Sequence, residues 1–132
     1  MKAIIYANGS STIGLGHIMR TLTLGEKLKE NRVCVEYIID NSDDNAISLI
    51  QDNGFKVIHV ENILEHLLNY KKPKYDLVII DDYKIDKQDI NKFYHIANKT
   101  IYIDDLAKFS SYNMDILINT SIEAFNIDYK GS

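Results

Sequence analysis

The chain has 132 residues and a formal net charge of −4, and 45% of its residues are hydrophobic while 26% are charged. This length and composition are typical of one globular domain with a substantial buried core. The acidic balance argues against a nucleic-acid partner, because no basic excess is available to neutralise phosphates. No stretch approaches the roughly 18 consecutive apolar residues of a membrane span, and the apolar start is too short for a signal peptide, which predicts a cytoplasmic location.

Short apolar runs alternate with segments of helical periodicity along the chain. The predicted strands are 3–7, 33–39, 56–60, 77–81, 100–104 and 116–119, and the predicted helices are 17–31, 44–53, 63–72 and 87–98. Several strand segments are nearly continuous in Val and Ile, as expected for strands buried on both faces. Gly54 and Pro73 are predicted to end the second and third helices. The pattern predicts a single Rossmann-like α/β domain over 1–132, a parallel sheet flanked by helices.

The cysteine and most of the histidines do not indicate a functional site. Cys34 is the only cysteine, which excludes an intrachain disulfide and a cysteine-based metal site, and we expect it to be a buried strand residue. His59, His66 and His95 form no pair with metal-ligand spacing. We expect these three to be structural or solvent-facing.

The most informative segment, Ser10–Leu24, reads SSTIGLGHIMRTLTL and connects the first strand to the first helix. Gly14 and Gly16 let the backbone turn tightly and expose its N–H groups, and the helix start adds the positive end of its dipole. This combination predicts a seat for a phosphate or diphosphate. His17 stands on that seat, and because imidazole changes charge near neutral pH, it is a candidate proton-transfer group.

Two well-known phosphate motifs match this loop poorly. A P-loop needs Lys followed by Ser or Thr after its last glycine, where this chain has His17 and Ile18. The dinucleotide fingerprint needs a third glycine or alanine, where Met19 stands, although Asp40 lies where a ribose-binding acid is expected. A nicotinamide or flavin cofactor therefore stays a weaker alternative.

Polar residues follow the predicted strands at the sheet edge where ligands bind in this class of fold. They are the Ser10–His17 loop, Asp40-Asn41, Asp81-Asp82-Tyr83, Asp104-Asp105 and Asn119-Thr120-Ser121. The acidic pairs either cap turns and helix starts or hold a magnesium ion, and capping is favoured. Tyr83 either covers the sheet end or packs on a sugar. Arg20 either binds an anion or pairs with an acidic surface residue, and the surface pairing is slightly favoured.

Four blocks of the sequence resemble the UDP-sugar hydrolases of pseudaminic acid biosynthesis and the related SpsG-type spore coat polysaccharide biosynthesis proteins. They are the segment Ser10–Leu24, then VIIDDY at 78–83, IDDL at 103–106 and DILIN at 115–119. The resemblance implies the N-terminal domain of a glycosyltransferase-B-like architecture, without the family's C-terminal nucleotide-binding domain. It also implies hydrolysis of a UDP-linked 2,4-diacetamido-2,4,6-trideoxyhexose, with no metal or other cofactor.

The same resemblance implies roles for single residues. The family's catalytic histidine falls on His17, its glycine-loop contacts on Ile13, Gly14 and Gly16, and a substrate-contacting tyrosine on Tyr83. Neutral His17 is then expected to take a proton from the water that attacks the anomeric carbon while UDP leaves. A glycosyltransferase-B-type sugar transferase and a non-catalytic nucleotide-sugar binding module are the alternatives. We expect little activity from one domain alone, because transition-state contacts must come from both walls of the cleft.

The chain departs from the family pattern at several positions. Tyr6 and Asn8 stand where the family often has Arg and Asp, and Asp82 stands where it often has His. Gly25 replaces an alanine that is usual in the first helix. Asn8 and Asp82 are both predicted to lie near the site, so they bear on the identity of the substrate.

Overall fold

The computed structural model describes residues 1–9, 15–82, 85–103 and 116–118. Its strands are β1 (Lys2–Ala7), β2 (Cys34–Ile39), β3 (Lys56–His59), β4 (Tyr75–Asp81), β5 (Ala97–Ile103) and β6 (Ile116–Ile118). Its helices are α1 (Gly16–Glu30), α2 (Asp44–Asp52), α3 (Ile63–Leu67) and α4 (Lys87–Ile90), and a 3₁₀ turn at Asn91–His95 continues α4. Every predicted strand is present, and the predicted Rossmann-like α/β architecture is confirmed.

The six strands form one parallel sheet in the order β3-β2-β1-β4-β5-β6. The chain builds outward from β1 to β3 and then crosses back to place β4 on the other side of β1. This reversal makes the boundary between β1 and β4 a topological switch point, where the crevice outside the strand ends takes ligands in such folds. The carboxyl ends of β1 and β4 therefore frame the candidate site.

Alternate strand residues face two hydrophobic layers on opposite sides of the sheet. On one side, strand residues pack with α1 and α2 through Ile5, Tyr37, Ile79, Ile18, Leu22, Ala46 and Ile50. On the other side, they pack with α3, α4 and the 3₁₀ turn through Ile4, Ile38, Val78, Ile80, Leu67, Ile90 and Phe93. Because both faces are covered, the strands need the nearly continuous apolar sequences from which they were predicted.

The helix α2 ends as its sequence predicts. Gly54 adopts a φ of 86°, a conformation that favours glycine, and its N–H donates to the carbonyl of Gln51 at 2.9 Å. The N–H of Phe55 reaches back to the carbonyl of Ile50 at 3.4 Å. The helix α1 ends in the same pattern, with Arg32 at a φ of 65° in the position of the glycine.

The third and fourth predicted helices are too long. The helix α3 ends at Leu67, before Pro73 is reached, and the predicted helix 87–98 runs into β5, which begins at Ala97. The backbone N–H groups of Lys74 and Tyr75 both donate to the carbonyl of Ile96 at 3.0 Å. Pairing of β5 with β4 thus starts earlier than the periodicity indicated, since register with a neighbouring strand overrides a weak helical preference.

The expectation that Cys34 is buried is wrong. Cys34 is the first residue of β2 and is exposed. Its partner in the sheet is Lys2, the first residue of β1, so both lie at the amino-terminal edge of the sheet. Burial in β2 begins one residue later, at Val35. In the described ranges, no helix is both long and apolar enough to cross a bilayer.

Candidate functional site

The first turn of α1 differs from those of the next two helices. Its N-cap residue is Leu15, whose side chain cannot accept a hydrogen bond, and its first turn contains no acidic residue. By contrast, side-chain oxygens of Asp43 and Asn62 accept backbone N–H bonds at the starts of α2 and α3. Within the part of the chain that the structure describes, the positive end of α1 is thus not balanced by an acidic first turn.

Gly16 is the first residue of α1, and its conformation places no demand on glycine. Its φ lies outside the left-handed region, and a Cβ built on it meets no heavy atom of the other described residues within 4 Å. The tight turn predicted around Gly14 and Gly16 includes residues outside the described ranges and stays a prediction. Among the described residues, glycine leaves space beside the helix start in which a ligand can approach the backbone closely.

A buried carboxylate lies behind His17. Asp81, the last residue of β4, is completely buried, and Arg20 holds it through hydrogen bonds from Nε to Oδ2 and from Nη2 to Oδ1, both 2.5 Å long. His17 Nδ1 lies 2.5 Å from the same Oδ1. The His17 side chain is 23% exposed. The imidazole therefore contacts a buried acid on one side and still reaches the surface of the crevice.

The alternation of β4 explains why only one of its two final acids meets α1. Leu77 and Ile79 pack in the layer of α1 and α2, and Asp81 continues that series of alternate residues. Asp82 belongs to the opposite series, with Ile80. Sequence analysis assigned no role to Asp81 beyond capping or magnesium binding, and the period of two was the available signal for its true partner.

The structure corrects the interpretations of Arg20 and Asp81. Where a surface acid was slightly favoured as the partner of Arg20, the structure pairs Arg20 with the fully buried Asp81. The capping role favoured for Asp81 is wrong, since its carboxylate pairs with two side chains of α1. A guanidinium that takes both oxygens of a carboxylate balances its charge and fixes its orientation.

Asn8 connects the ends of three strands. Its Oδ1 accepts hydrogen bonds from the backbone N–H groups of Asp40 and Asn41, at 3.1 and 2.9 Å, and from the hydroxyl of Ser42 at 3.1 Å. Its Nδ2 donates to the carboxylates of Asp40 and Asp82, both at 3.0 Å. Asn8 is 8% exposed, so the amide uses both its donor and its acceptor in a nearly buried position.

Two positions that depart from the family pattern are therefore in direct contact. Asn8 donates to Asp82, which accounts for an amide and a carboxylate at these positions as a matched donor and acceptor. Tyr6 also differs from the family pattern, and its hydroxyl donates to Asp40 Oδ1 at 2.9 Å. Burial, followed by the charges of Asp82 and Asp40, raises the pKa of Tyr6 far above its usual value, which keeps the hydroxyl a donor.

A cavity of about 170 Å³ opens beside this network, on the face of the sheet that carries α3 and α4. Its lining mixes carboxylates with a hydroxyl and apolar groups: Tyr6, Asp40, Asn62, Ile63, Leu64, Asp82, Ile85 and Asp89. A lining that combines a few polar groups with apolar side chains is typical of small-molecule sites.

The structure brings only part of the predicted site together. His17, Gly16, Asp40, Asp81 and Asp82 lie at the carboxyl edge of the sheet. Ile13, Gly14, Tyr83, Asp104-Asp105 and Asn119-Thr120-Ser121 lie outside the described residues.

The other histidines match their expected structural or surface roles. His59 and His95 are exposed, and His66 Nε2 lies 3.1 Å from the hydroxyl of Tyr70. Among the described residues, no group of three or more His, Cys, Asp or Glu side chains is arranged to hold a metal ion.

Comparisons with known proteins give one uncharacterised relative and one relative with a named activity. The chain is 34% identical over 122 residues to an uncharacterised protein of Methanocaldococcus jannaschii, across 92% of the chain and 25% of that protein. It is 31% identical over 136 residues to the UDP-2,4-diacetamido-2,4,6-trideoxy-beta-L-altropyranose hydrolase of Campylobacter jejuni, across 99% of the chain and 46% of that protein. No family model and no solved structure matches the chain. The chain spans less than half the length of either relative, and nearly all of it is similar to part of a UDP-sugar hydrolase.

Proposed function

We propose that the chain forms one wall of the active site of a nucleotide-sugar hydrolase whose substrate is a UDP-linked 2,4-diacetamido-2,4,6-trideoxyhexose. The observation that carries the proposal is the imidazole of His17, held against the buried Asp81 at the start of α1. The similarity to the Campylobacter jejuni hydrolase supports the substrate class.

The start of α1 is the proposed binding position of the diphosphate. Its first turn has no acidic residue, and Gly16 leaves open space beside the backbone, so phosphate oxygens can approach the helix dipole closely. Ile13 and Gly14 are proposed as further contacts of the glycine loop, and Tyr83 as a contact of the sugar.

His17 is the proposed general base. With its Nδ1 on Asp81, the neutral ring carries its lone pair on Nε2. Nε2 takes a proton from water as the water oxygen bonds to the anomeric carbon. The bond from that carbon to the diphosphate oxygen breaks, and UDP leaves with the electron pair. Since UDP leaves as an anion, the reaction has little need of a strong general acid. A base placed in this way contributes about 10²–10⁴-fold to the rate.

A second wall completes the proposed site. The chain corresponds to 46% of the hydrolase, so we propose that it acts as the N-terminal domain of a glycosyltransferase-B-like pair whose other domain supplies the remaining uridine contacts. Catalysis needs groups from both sides of the cleft to meet one transition state. The switch point between β1 and β4 is the edge that would face that cleft.

The test compares two variants of the intact protein, meaning this chain together with the proposed second domain. UDP release is measured enzymatically, and binding is measured by calorimetry. His17→Asn is expected to lower kcat by about 10²–10⁴-fold and to change substrate affinity by less than about threefold. Gly16→Ala is expected to weaken binding about tenfold or more, since its methyl group fills the approach to the helix start. Its unfolding temperature should not fall, because the methyl group meets no atom of the other described residues and alanine has the higher helix propensity.

Four results would contradict the proposal. The first is UDP release by His17→Asn at about one third of the wild-type rate or more. The second is an unchanged affinity of Gly16→Ala. The third is transfer of the sugar to an added acceptor in preference to water, which would identify a sugar transferase. Binding without any UDP release from the wild-type protein would identify a nucleotide-sugar binding module.

A further inference from the structure

We propose that Asp81 and Arg20 are positioning residues, which together fix His17 in the tautomer that carries its proton on Nδ1. The catalytic use of this tautomer rests on the proposed function, whereas the tautomer itself does not. His17 and Arg20 lie one turn apart on α1, and Asp81 ends β4. The helix and the strand thus jointly orient one imidazole ring.

The orientation of the carboxylate is set by Arg20. The guanidinium donates from Nε to Oδ2 and from Nη2 to Oδ1, which is the two-point geometry that defines the plane of a carboxylate. Because Asp81 is completely buried, its charge needs such a partner. Oδ1 is thereby directed at the imidazole as well as at the guanidinium.

The position of the proton follows from two contacts of the ring nitrogen Nδ1. Arg20 Nη2 lies 3.3 Å from His17 Nδ1, and a guanidinium can only donate. Asp81 Oδ1 lies closer to Nδ1, at 2.5 Å, and an ionised carboxylate can only accept. A deprotonated Nδ1 would direct its lone pair at that oxygen. The proton therefore lies on Nδ1, which leaves the lone pair on Nε2.

The charges of the pair offset one another. Asp81 contributes one negative charge and Arg20 one positive charge, so the buried carboxylate that orients the ring has a cationic partner.

Other contacts hold α1 in place independently of this pair. Ile18, Leu22 and Gly25 are buried against the sheet, and Thr21 Oγ1 lies 2.8 Å from the hydroxyl of Tyr37 in β2. Substitution of Asp81 or Arg20 by a residue of similar size should therefore leave the helix where it is. This separates a positioning role from a purely structural one.

The test reads the tautomer of His17 by ¹⁵N NMR of its ring nitrogens in the folded 132-residue chain, above the pH at which the ring is protonated. Its signals are assigned as those missing in His17→Asn. The wild-type ring is expected to show a protonated Nδ1. Asp81→Asn removes the anionic acceptor, and the share of the Nδ1-protonated form is expected to fall below about half. Arg20→Lys keeps the charge but not the two-point geometry, so its ring should be intermediate.

Lys27→Gln is the matched control. It removes a positive charge from α1, but Lys27 pairs with the exposed Glu30, whereas Arg20 pairs with the buried Asp81. Its His17 spectrum should equal that of the wild type. In the intact protein, Asp81→Asn should lower kcat by about 10²-fold or more with KM within about threefold, as the same exchange does in a Ser-His-Asp triad.

The wild-type spectrum alone can overturn the proposal, since a proton on Nε2 in the neutral ring would contradict it even if Asp81→Asn failed to fold. An unchanged tautomer in a folded Asp81→Asn would contradict it equally. A protonated Nδ1 that depends on Asp81, in a protein that releases no UDP, would support the tautomer and reject the hydrolase function. The two proposals therefore fail separately.

Discussion

The contact between Asn8 and Asp82 predicts that these two residues are energetically coupled. In Asn8→Asp, the new carboxylate can keep the hydrogen bonds that Oδ1 accepts from the backbone of Asp40 and Asn41. It cannot replace Nδ2, which donates to the carboxylates of Asp40 and Asp82 at 3.0 Å each. Three carboxylates would then lie together where an amide now separates two.

The size of the effect follows from these two lost bonds. A hydrogen bond to a charged group contributes about 1.5–3 kcal/mol, and the lower end applies because Asp40 and Asp82 are half-buried. Asn8→Asp should therefore reduce the free energy of unfolding by about 3 kcal/mol at neutral pH. Asp82→Asn alone should cost less than about 1 kcal/mol, since its amide oxygen can still accept from Asn8.

The decisive variant is the double one, in which Asn8 and Asp82 exchange their side chains. Asn8→Asp combined with Asp82→Asn restores one donor–acceptor contact with reversed polarity but leaves the repulsion from Asp40. About 1.5 kcal/mol should be recovered relative to the single Asn8→Asp variant. Urea unfolding measures the stability of each variant. When the slope of the unfolding free energy against urea concentration is the same in all variants, the midpoints give the differences in free energy of unfolding.

Asp89→Asn supplies the control for this cycle. Asp89 lines the same cavity and pairs with Lys92 at 3.2 Å. In the double variant of Asn8→Asp and Asp89→Asn, the two losses in free energy of unfolding should add. A coupling energy below about 0.5 kcal/mol for Asn8 and Asp82, or one equal to the control, would refute the hydrogen-bond assignment.

Two further predictions concern stability outside the site. Gly25→Ala should lower the unfolding temperature, because the added Cβ lies 3.1 Å from Cζ of the buried Phe55, and this overpacking exceeds the gain of about 1 kcal/mol in helix propensity. Phe55→Leu in the same chain should reduce that penalty, and an equal penalty in both backgrounds would contradict the clash. For Glu36, burial alone would raise the pKa, but the Tyr75 hydroxyl at 2.6 Å and the charges of Lys2, Lys56 and Lys74 hold the pKa below its usual value. Glu36→Gln should therefore cost about 1 kcal/mol at neutral pH and progressively less as the pH falls below about 4.5, and a pH-independent difference in urea midpoints would contradict this.

The sequence was sufficient to predict the strands and insufficient to predict the shorter helices. Buried strands of a doubly covered sheet have apolar runs that need no tertiary information, and Gly54 marks its helix end by backbone conformation alone. The limits of α4 and β5 depend instead on the pairing of Tyr75 with Ala97, two residues far apart in the chain. No local pattern reports that pairing.

In the candidate site, too, some features could be predicted from local sequence and others depend on how the strands and helices pack. The segment around His17 carries a recognisable motif, so its place at a strand end could be predicted. Its partner was harder to predict. The alternation along β4 separates Asp81 from Asp82, but which of the two faces α1 depends on where the helix packs on the sheet. The contact of Asn8 with Asp82 likewise depends on β1 and β4 being neighbours, which the chain order does not state.

The register of β4 therefore decides both halves of the site. Ile79 and Ile80 pack in opposite layers, and this fixes Asp81 on the side of α1 and Asp82 on the side of α3. A slip of one residue would exchange the two acids and place Asp82 beside His17. Both faces of β4 are covered by apolar layers, so the slip would exchange aliphatic side chains for one another at Val78 and Ile79 and would cost little there. It would also move Asp81 into the place of Ile80, where a buried carboxylate without a partner is costly. The acid at the end of β4 therefore helps to set the register that places it beside the imidazole.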